Sequence, residues 1–469
     1  MKPIICYPLI QEIPQSQDYI IRIREAGNDG PWSDVKVYGV KVDMHHVRQA
    51  SMAYFDMGVP VELEIECKYT EVQTVDIRPL SHDIQSQIEG NMISFELKEP
   101  LKLSIEVNGE RFCNLHLFGN ELETNAPSMD DPCVHVIQPG IHRTEWLETE
   151  AKILYFAPGM HYIEETILRI PSGKTVYING GAAVAGSFVC DQVQNVTIRG
   201  RGMIYLADFH RFSAFRGVRL MHSKRIAIEG IMIIDVPHYS VYIGSSHYVS
   251  IRGIKSFSTR GWSDGIDIMS SSDIEIEHVF MRNSDDCIAI YGSRWGYRGD
   301  SRRIRVRHAV LWADVAHPLM IGTHGDYEAN GDVIEDIRYE NIDILEHHEP
   351  QPNYWGAMAI NAGDHNTVRN VVYSQIRVET FEQGQLFDLR VIRNKDYNPA
   401  PGRRIEHILF EDIEYAGGSL NPSRIHGYDN ERSIEGVTFN NLTIAGQRVD
   451  SPDHPAIEIN DYVRGITFR

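Results

Sequence analysis

Beyond about residue 150 the apolar residues recur in one short pattern, and that recurrence limits the fold more than any other feature of the chain. The pattern is an apolar residue, a gap of one, a second apolar residue, a gap of two, and a third. It reads Ile226, Ile228, Ile231; Val249, Ile251, Ile254; Ile274, Ile276, Val279; and Ile304, Val306, Ala309. Looser copies follow at Ile337, Tyr339 and Ile342, from Val368 to Ile376, from Ile408 to Ile413 and from Val437 to Leu442. The first four copies step by 23, 25 and 30 residues, the longer steps absorbing loops. A period of this length made only of strands indicates a solenoid, in which each coil buries its apolar face on the next. Gly and Asn at the corners, as in Asn195 to Gly200 and Glu340 to Ile342, suit tight turns. The expectation is a parallel β-helix over 146–469, its Ile and Val residues stacked as internal ladders.

Residues 1–145 carry a different signal. Tyr19–Ile23, Val61–Glu66, Ile93–Leu97 and Leu101–Val107 alternate apolar and polar residues between Gly, Pro and Asn. Such alternation marks half-buried antiparallel strands, and a β-sandwich of about eight strands is expected. The transition is expected near Val134 to Gly140. No catalytic constellation occurs in this part; His45 and His46, adjacent in an expected strand, would face opposite ways.

A chain of 469 residues with 42% hydrophobic and 23% charged residues can bury a large core. The formal net charge of −20 argues against nucleic acid or an anionic membrane as partner. No stretch approaches the length of a membrane span, and no apolar signal segment follows Lys2, so a cytoplasmic protein is expected, with a secreted one the alternative if a signal has been removed; a homo-oligomer is allowed. The six cysteines are scattered, which suits buried free thiols rather than a disulfide or metal framework.

Chemistry concentrates in three segments: Ser263-Asp264-Gly265-Ile266-Asp267, Asn283-Ser284-Asp285-Asp286-Cys287-Ile288-Ala289-Ile290, and Ala316-His317-Pro318-Leu319-Met320-Ile321-Gly322. Carboxylates are rarely set among apolar strand residues unless they are paired or used. Asp264 and Asp285 are 21 residues apart, about one coil, which would bring them within about 5 Å in backbone. His317 lies about one coil further. Two carboxyl groups on one wall can share the work of acid and base in glycoside hydrolysis; inverting enzymes place them about 6.5–9.5 Å apart to admit a water.

These three segments resemble the successive motifs of the polygalacturonase-like glycoside hydrolases, which include the family 28 pectinases and the related family 49 dextranases. The resemblance covers roughly residues 150–469. It implies a right-handed parallel β-helix and hydrolysis with inversion, and in the dextranase-like branch a β-sandwich precedes the helix. It further implies that Asp285 is the general acid, that Asp264 and Asp286 hold and deprotonate the attacking water, that His317 supports the acid, and that no cofactor is needed. Two departures stand out. His317 is flanked by Ala316 and Pro318 rather than by glycines. The Arg-x-Lys pair with which pectinases grip a uronate carboxylate is missing from Met358 to Asp364, after an apparent insertion from Glu346 to Trp355. A neutral sugar at the cleaved bond is therefore the first expectation. Galacturonan or rhamnogalacturonan is the alternative, with Arg294, Arg298 and Arg302 as its carboxylate-binding cluster.

Trp262 and Trp295, in loops beside the proposed wall, are candidates to stack on a pyranose face. Arg294, His324 and Asn361 are further binding candidates, and Asp267 is taken chiefly as structural. His347-His348-Glu349 is expected to be a solvated loop. Two other classes fit the same fold. One is a non-catalytic polysaccharide-binding protein; the other is a calcium-dependent β-elimination lyase, which would release an unsaturated product.

Overall fold

The computed structural model describes residues 3–210, 216–417 and 421–469. Thirty strands, beginning with Val134–Ile137, form one continuous sheet wound into a right-handed parallel β-helix. The recurring triplets meet in register: Ile226, Val249, Ile274, Ile304, Ile337, Val371, Ile408 and Val437 all sit inside the coil with almost no exposure. Their successors pair as Ile226 to Val249, Val249 to Ile274 and Ile274 to Ile304. Toward the C-terminus the ladder turns aromatic, with Tyr339, Tyr373, Phe410, Phe439 and Phe468 stacked at about one strand spacing. Burial of such uninterrupted apolar columns drives the winding.

The N-terminal part forms two sheets of six and five strands, more than the eight expected. Ile21, Leu63 and Phe95 of one sheet and Phe55, Ile105 and Leu117 of the other share a core, which makes the pair a sandwich. Short edge strands such as Ser33–Val35 and Gln87–Glu89 account for the excess, because three-residue strands carry no periodicity to read. The first coil of the solenoid already includes Val134–Ile137, ahead of the 145/146 boundary expected from sequence, since these residues pair in parallel with Ile153–Phe156. His45 and His46 lie in an exposed turn, not in a strand.

The outer face of the sandwich lies against one flank of the solenoid. Tyr38, Val40, Met52 and Phe118 pack on Met203, Met232, Phe257, Phe280 and Trp312. Arg282 crosses this interface fully buried, stacked 3.9 Å over Trp312, paired with Asp314, and bonded to Asn114 and His116 of the sandwich. The amide of Met44 donates to Ser284, the residue before the aspartate pair, at 3.1 Å. The six cysteines are free; Cys67, Cys190 and Cys287 are buried as expected, but Cys133 is exposed and Cys6 and Cys113 are half-buried. No helix among the described residues is long and apolar enough to cross a membrane.

Candidate active site

The solenoid stacks the three motif segments on one wall. Backbone bonds run from Ser240 N to Asp264 O, from Gly265 N to Asp286 O and from Cys287 N to His317 O, so Asp264, the Asp285–Asp286 pair and His317 occupy adjacent coils. Gly265 is required by this stacking, because a Cβ there would lie 2.3 Å from the carbonyl oxygen of Cys287. Asn283 pins the preceding corner by donating to Ser256, Ser258 and the carbonyl of Ser263.

Carboxyl oxygens of Asp264, Asp285 and Asp286 lie within 4.8 Å of one another. This is closer than the separation expected for a two-carboxylate inverting site. Three carboxyl groups relax that requirement: one water bonded to two acceptors at about 2.8 Å each spans roughly 4.5 Å between them. The same spacing could hold a hard cation. Asp285 and Asp286, however, are already engaged by N–H donors.

Asp285 sits partly exposed and accepts the amides of Trp262 at 2.9 Å and of Asp286 at 3.0 Å. Trp262 adopts a left-handed φ of +66°, a conformation that favours glycine, and in it directs that amide at the carboxylate. Burial, and then the charge of Asp286, push the Asp285 carboxyl up to about 6, against those amides and His317. Asp264 is held well above the usual carboxylate range by burial and by Asp267, Asp285 and Asp286. Burial raises Asp267 in the same way, and Arg294, 3.6 Å away, opposes it. The protons of such a group belong to the cluster rather than to single residues.

His317 donates from Nδ1 to Asp286 at 2.7 Å, and its amide donates to the same oxygen at 3.0 Å. Its direct partner is thus Asp286, not Asp285 as the resemblance implied. Burial opposes its charge, but Asp286 outweighs burial and the histidine's pKa is raised. Ala316, just before His317, takes a left-handed φ of +65°, a conformation that favours glycine.

Asp267 is fully buried beside Arg294, 3.6 Å away, with Asp264, Asp285 and Asp286 in its field. Arg294 lies over the rings of Tyr291 and Trp295 at 4.7 and 4.8 Å. Trp295 is 45% and Trp262 56% exposed, and both rings border His238. His324 packs edge-on against Tyr291 behind the wall, and burial holds its pKa well below the ordinary value. Asn361 is not brought to the aspartates; it bonds to Asp388 and Arg390 further along the solenoid.

The sequence pattern of Glycosyl hydrolases family 28 matches residues 212–456, just over half of the chain. The chain belongs to this family. This family 28 chain is 23% identical over 257 residues to exopolygalacturonase B of Aspergillus niger, covering 52% of this chain and 55% of that protein. It is 25% identical over 157 residues to a polygalacturonase of Chamaecyparis obtusa, covering 28% of this chain and 30% of that one. The chain thus matches about half the length of the first and less of the second. Among solved structures it is similar to Dex49A from Penicillium minioluteum, with TM-score 0.64, 14% identity, and coverage of 99% of this chain and 96% of that one. It is also similar to the family 28 exopolygalacturonase of Yersinia enterocolitica, with TM-score 0.50, 12% identity, and coverage of 86% and 96%. At these identities the structural likeness concerns the fold. It is that of a right-handed parallel β-helix, here behind a sandwich.

In this family 28 chain, strand pairing sets Ala359 beside Met320 and Asn361 beside Gly322, on the strand next to the one that follows His317, and neither residue is a cation. The proposed trio Arg294, Arg298 and Arg302 does not assemble. Arg302 opens the strand Ser301–Ala313, where it stacks on Ser272 and pairs with Asp300 and Glu335, and Arg298 lies near it. Only Arg294 reaches the aspartates. His347-His348-Glu349 is no solvated loop: His347 and Glu349 are buried, and His347 bonds the carbonyl of Ala316 and the amide of Gly356. Burial pushes the Glu349 carboxyl up to about 7, with His317 and the aspartate pair in its field. Tyr354 packs edge-on to His317 at 4.4 Å. Tyr354, Arg216, Arg219, His238 and Tyr239 escaped the sequence reading; a polar residue beside an apolar run was the only local sign of them.

Proposed function

We propose that the chain cleaves an O-glycosidic bond of an oligo- or polysaccharide by single displacement, with inversion at the anomeric carbon. The observation that carries this reading is the carboxyl trio within 4.8 Å, in which Asp285 has a pKa raised to about 6. A general acid of that pKa retains a proton to give at mildly acidic pH. Asp285 protonates the departing oxygen as its bond to the anomeric carbon breaks. Water held between Asp264 and Asp286 forms the new bond on the opposite face. Asp286, which accepts both N–H groups of His317, takes the proton that water releases. Exchange with solvent then returns the proton to Asp285. Both products leave with the elements of water added, and no cofactor enters the balance.

The sugar unit next to Ala359 is uncharged in this reading, since Ala359 and Asn361 offer no cation there. A proton NMR time course on pooled neutral and uronate-containing oligosaccharides tests the proposal. The expected result is a new anomeric signal of inverted configuration before mutarotation. A retained configuration would replace single displacement with a covalent intermediate, and an unsaturated product would point to elimination. Binding without turnover would favour the polysaccharide-binding reading.

A further inference from the structure

Outside the aspartate wall, a cavity of about 490 Å³ opens along the seam between the sandwich and the solenoid. Lys102 and the segment from Gly119 to Asn125 line it from the sandwich, and Arg201, Arg252 and Lys255 line it from successive coils. Strand alternation puts Lys255 on the same face as Phe257, which packs under Phe118 of the sandwich. Lys102 pairs in register with Phe118, whose ring centre lies 5.9 Å from Lys255 Nζ. One lysine from each domain therefore flanks the same ring.

At the rim of this cavity the charges are committed. Arg252 pairs with Glu277 at 3.0 Å and with Glu121 at 3.3 Å. Deeper in, they are not. Lys255 is 2% exposed, and Nζ donates to Asn120 Oδ1 at 2.5 Å but meets no carboxylate among the described residues. Lys102, half-buried, makes no hydrogen bond or ion pair among them. Asp56, the carboxylate in the field of Lys255, is already held by Arg201 at 3.0 and 3.1 Å and by Asn120 at 3.2 Å. Three cations thus stand against one carboxylate, and that carboxylate is taken. Burial, then Arg201 and Lys102, hold the Lys255 amine well below the usual lysine range, with Asp56 opposing. Burial likewise pushes Lys102 down to about 8, opposed by Glu121 and aided by Arg252 and Arg201.

We propose that this cavity binds a tetrahedral oxyanion, phosphate or sulfate, between Lys102 of the sandwich and Lys255 of the solenoid, and that the anion ties the two domains together. An ammonium group offers three donors, of which Lys255 uses one on Asn120 and Lys102 none. A tetrahedral oxyanion presents acceptors in several directions and can meet donors from two domains at once, whereas a carboxylate presents its two in one plane. The proposal does not depend on the hydrolase reading.

The test is calorimetric titration of the full chain with phosphate, sulfate and acetate, with sodium chloride holding the ionic strength constant. One phosphate or sulfate should bind saturably per chain, and acetate at least about tenfold more weakly. Lys102→Gln should weaken the oxyanion at least about tenfold, and Lys102→Arg should weaken it less. Sulfate keeps its charge across neutral pH, so its affinity should fall as pH rises through about 8, where Lys102 releases its proton. Sulfate should also raise the unfolding midpoint of the parent more than that of Lys102→Gln, since general salting-out acts on both alike. Absence of saturable binding would overturn the site, and acetate binding as tightly as sulfate would overturn the tetrahedral class. Binding that survives Lys102→Gln together with Lys255→Met would overturn the residue assignment. Equal midpoint shifts in parent and Lys102→Gln would overturn the tie between domains. Turnover at the aspartates enters none of these readings.

Discussion

The solenoid buries charged side chains on two of its outer flanks, and it treats them in opposite ways. Under the sandwich the buried arginines are paired. Arg282 holds Asp314, Arg78 holds Glu106 and Glu379, and Arg201 holds Asp56, all with little or no exposure. Along the cleft, several buried polar atoms make no hydrogen bond: Asp264 Oδ1, both oxygens of Asp267, Arg294 Nη1, Arg219 Nε and His317 Nε2, with Arg294 Nη1 and Asp267 Oδ2 joined only by an ion pair at 3.6 Å. A buried polar group without a partner costs free energy, so a cluster of them on one wall is a sign of use. The first flank uses its charges to hold two domains together; the second leaves buried polar atoms without hydrogen bonds, as the proposed site requires.

The sharpest way to break this contrast is to neutralise one charge on each flank. Asp285→Asn should lower kcat by about 10²–10⁴-fold while leaving the unfolding transition near that of the parent, because it removes proton donation and little packing. In the parent, activity should fall as pH rises through about 6, where the acid loses its proton. An unchanged kcat, or a rate that rises through that pH, would remove Asp285 from the role of acid.

On the paired flank Arg282→Met should do the reverse. It leaves Asp314 buried without its cation and should cost about 3–5 kcal/mol in denaturant unfolding. Any loss of activity should follow the loss of fold. A variant as stable as the parent would show that the interface does not depend on this pair.

A smaller effect, opposite in sign, separates the flanks by pH. Asp264 binds its proton more tightly in the folded than in the unfolded chain. Below the ordinary carboxylate value both states are protonated and the group is neutral toward stability. As pH rises the unfolded chain releases its proton first, so stability is lost up to the folded value and stays lost above it. Asp264→Asn should therefore be inactive yet more stable than the parent at pH 8, with the difference vanishing near pH 3. A variant less stable at pH 8 would mean that Asp264 is a structural partner and not an unpaired one.

How far the site could be read from sequence follows from distance along the chain. Asp264, Asp285 and His317 were legible as a group because one period of the repeat separates each from the next. Arg219 was not, since it lies two further coils away and a lone arginine in Val218–Met221 resembles any exposed strand residue. Arg302 misled in the other direction: it is close to Asp285 in sequence, yet the turn before Ser301–Ala313 carries it onto another face of the same coil. Glu349 and Tyr354 sat in a segment that read as an insertion, and only its folding back over His317 buries them.

The sequence by itself determined the solenoid, the sandwich before it and the stacking of the three motif segments. Each of these rests on periodic burial between neighbouring coils, where one repeat in sequence becomes one strand spacing in space. The tertiary structure alone decided which carboxylate His317 holds, which arginines face the cleft, and how the sandwich braces Arg282 and Ser284. Those contacts join coils, loops and domains far apart in the chain, and hydrogen-bond geometry and burial, which no local pattern encodes, select among the partners that composition would allow.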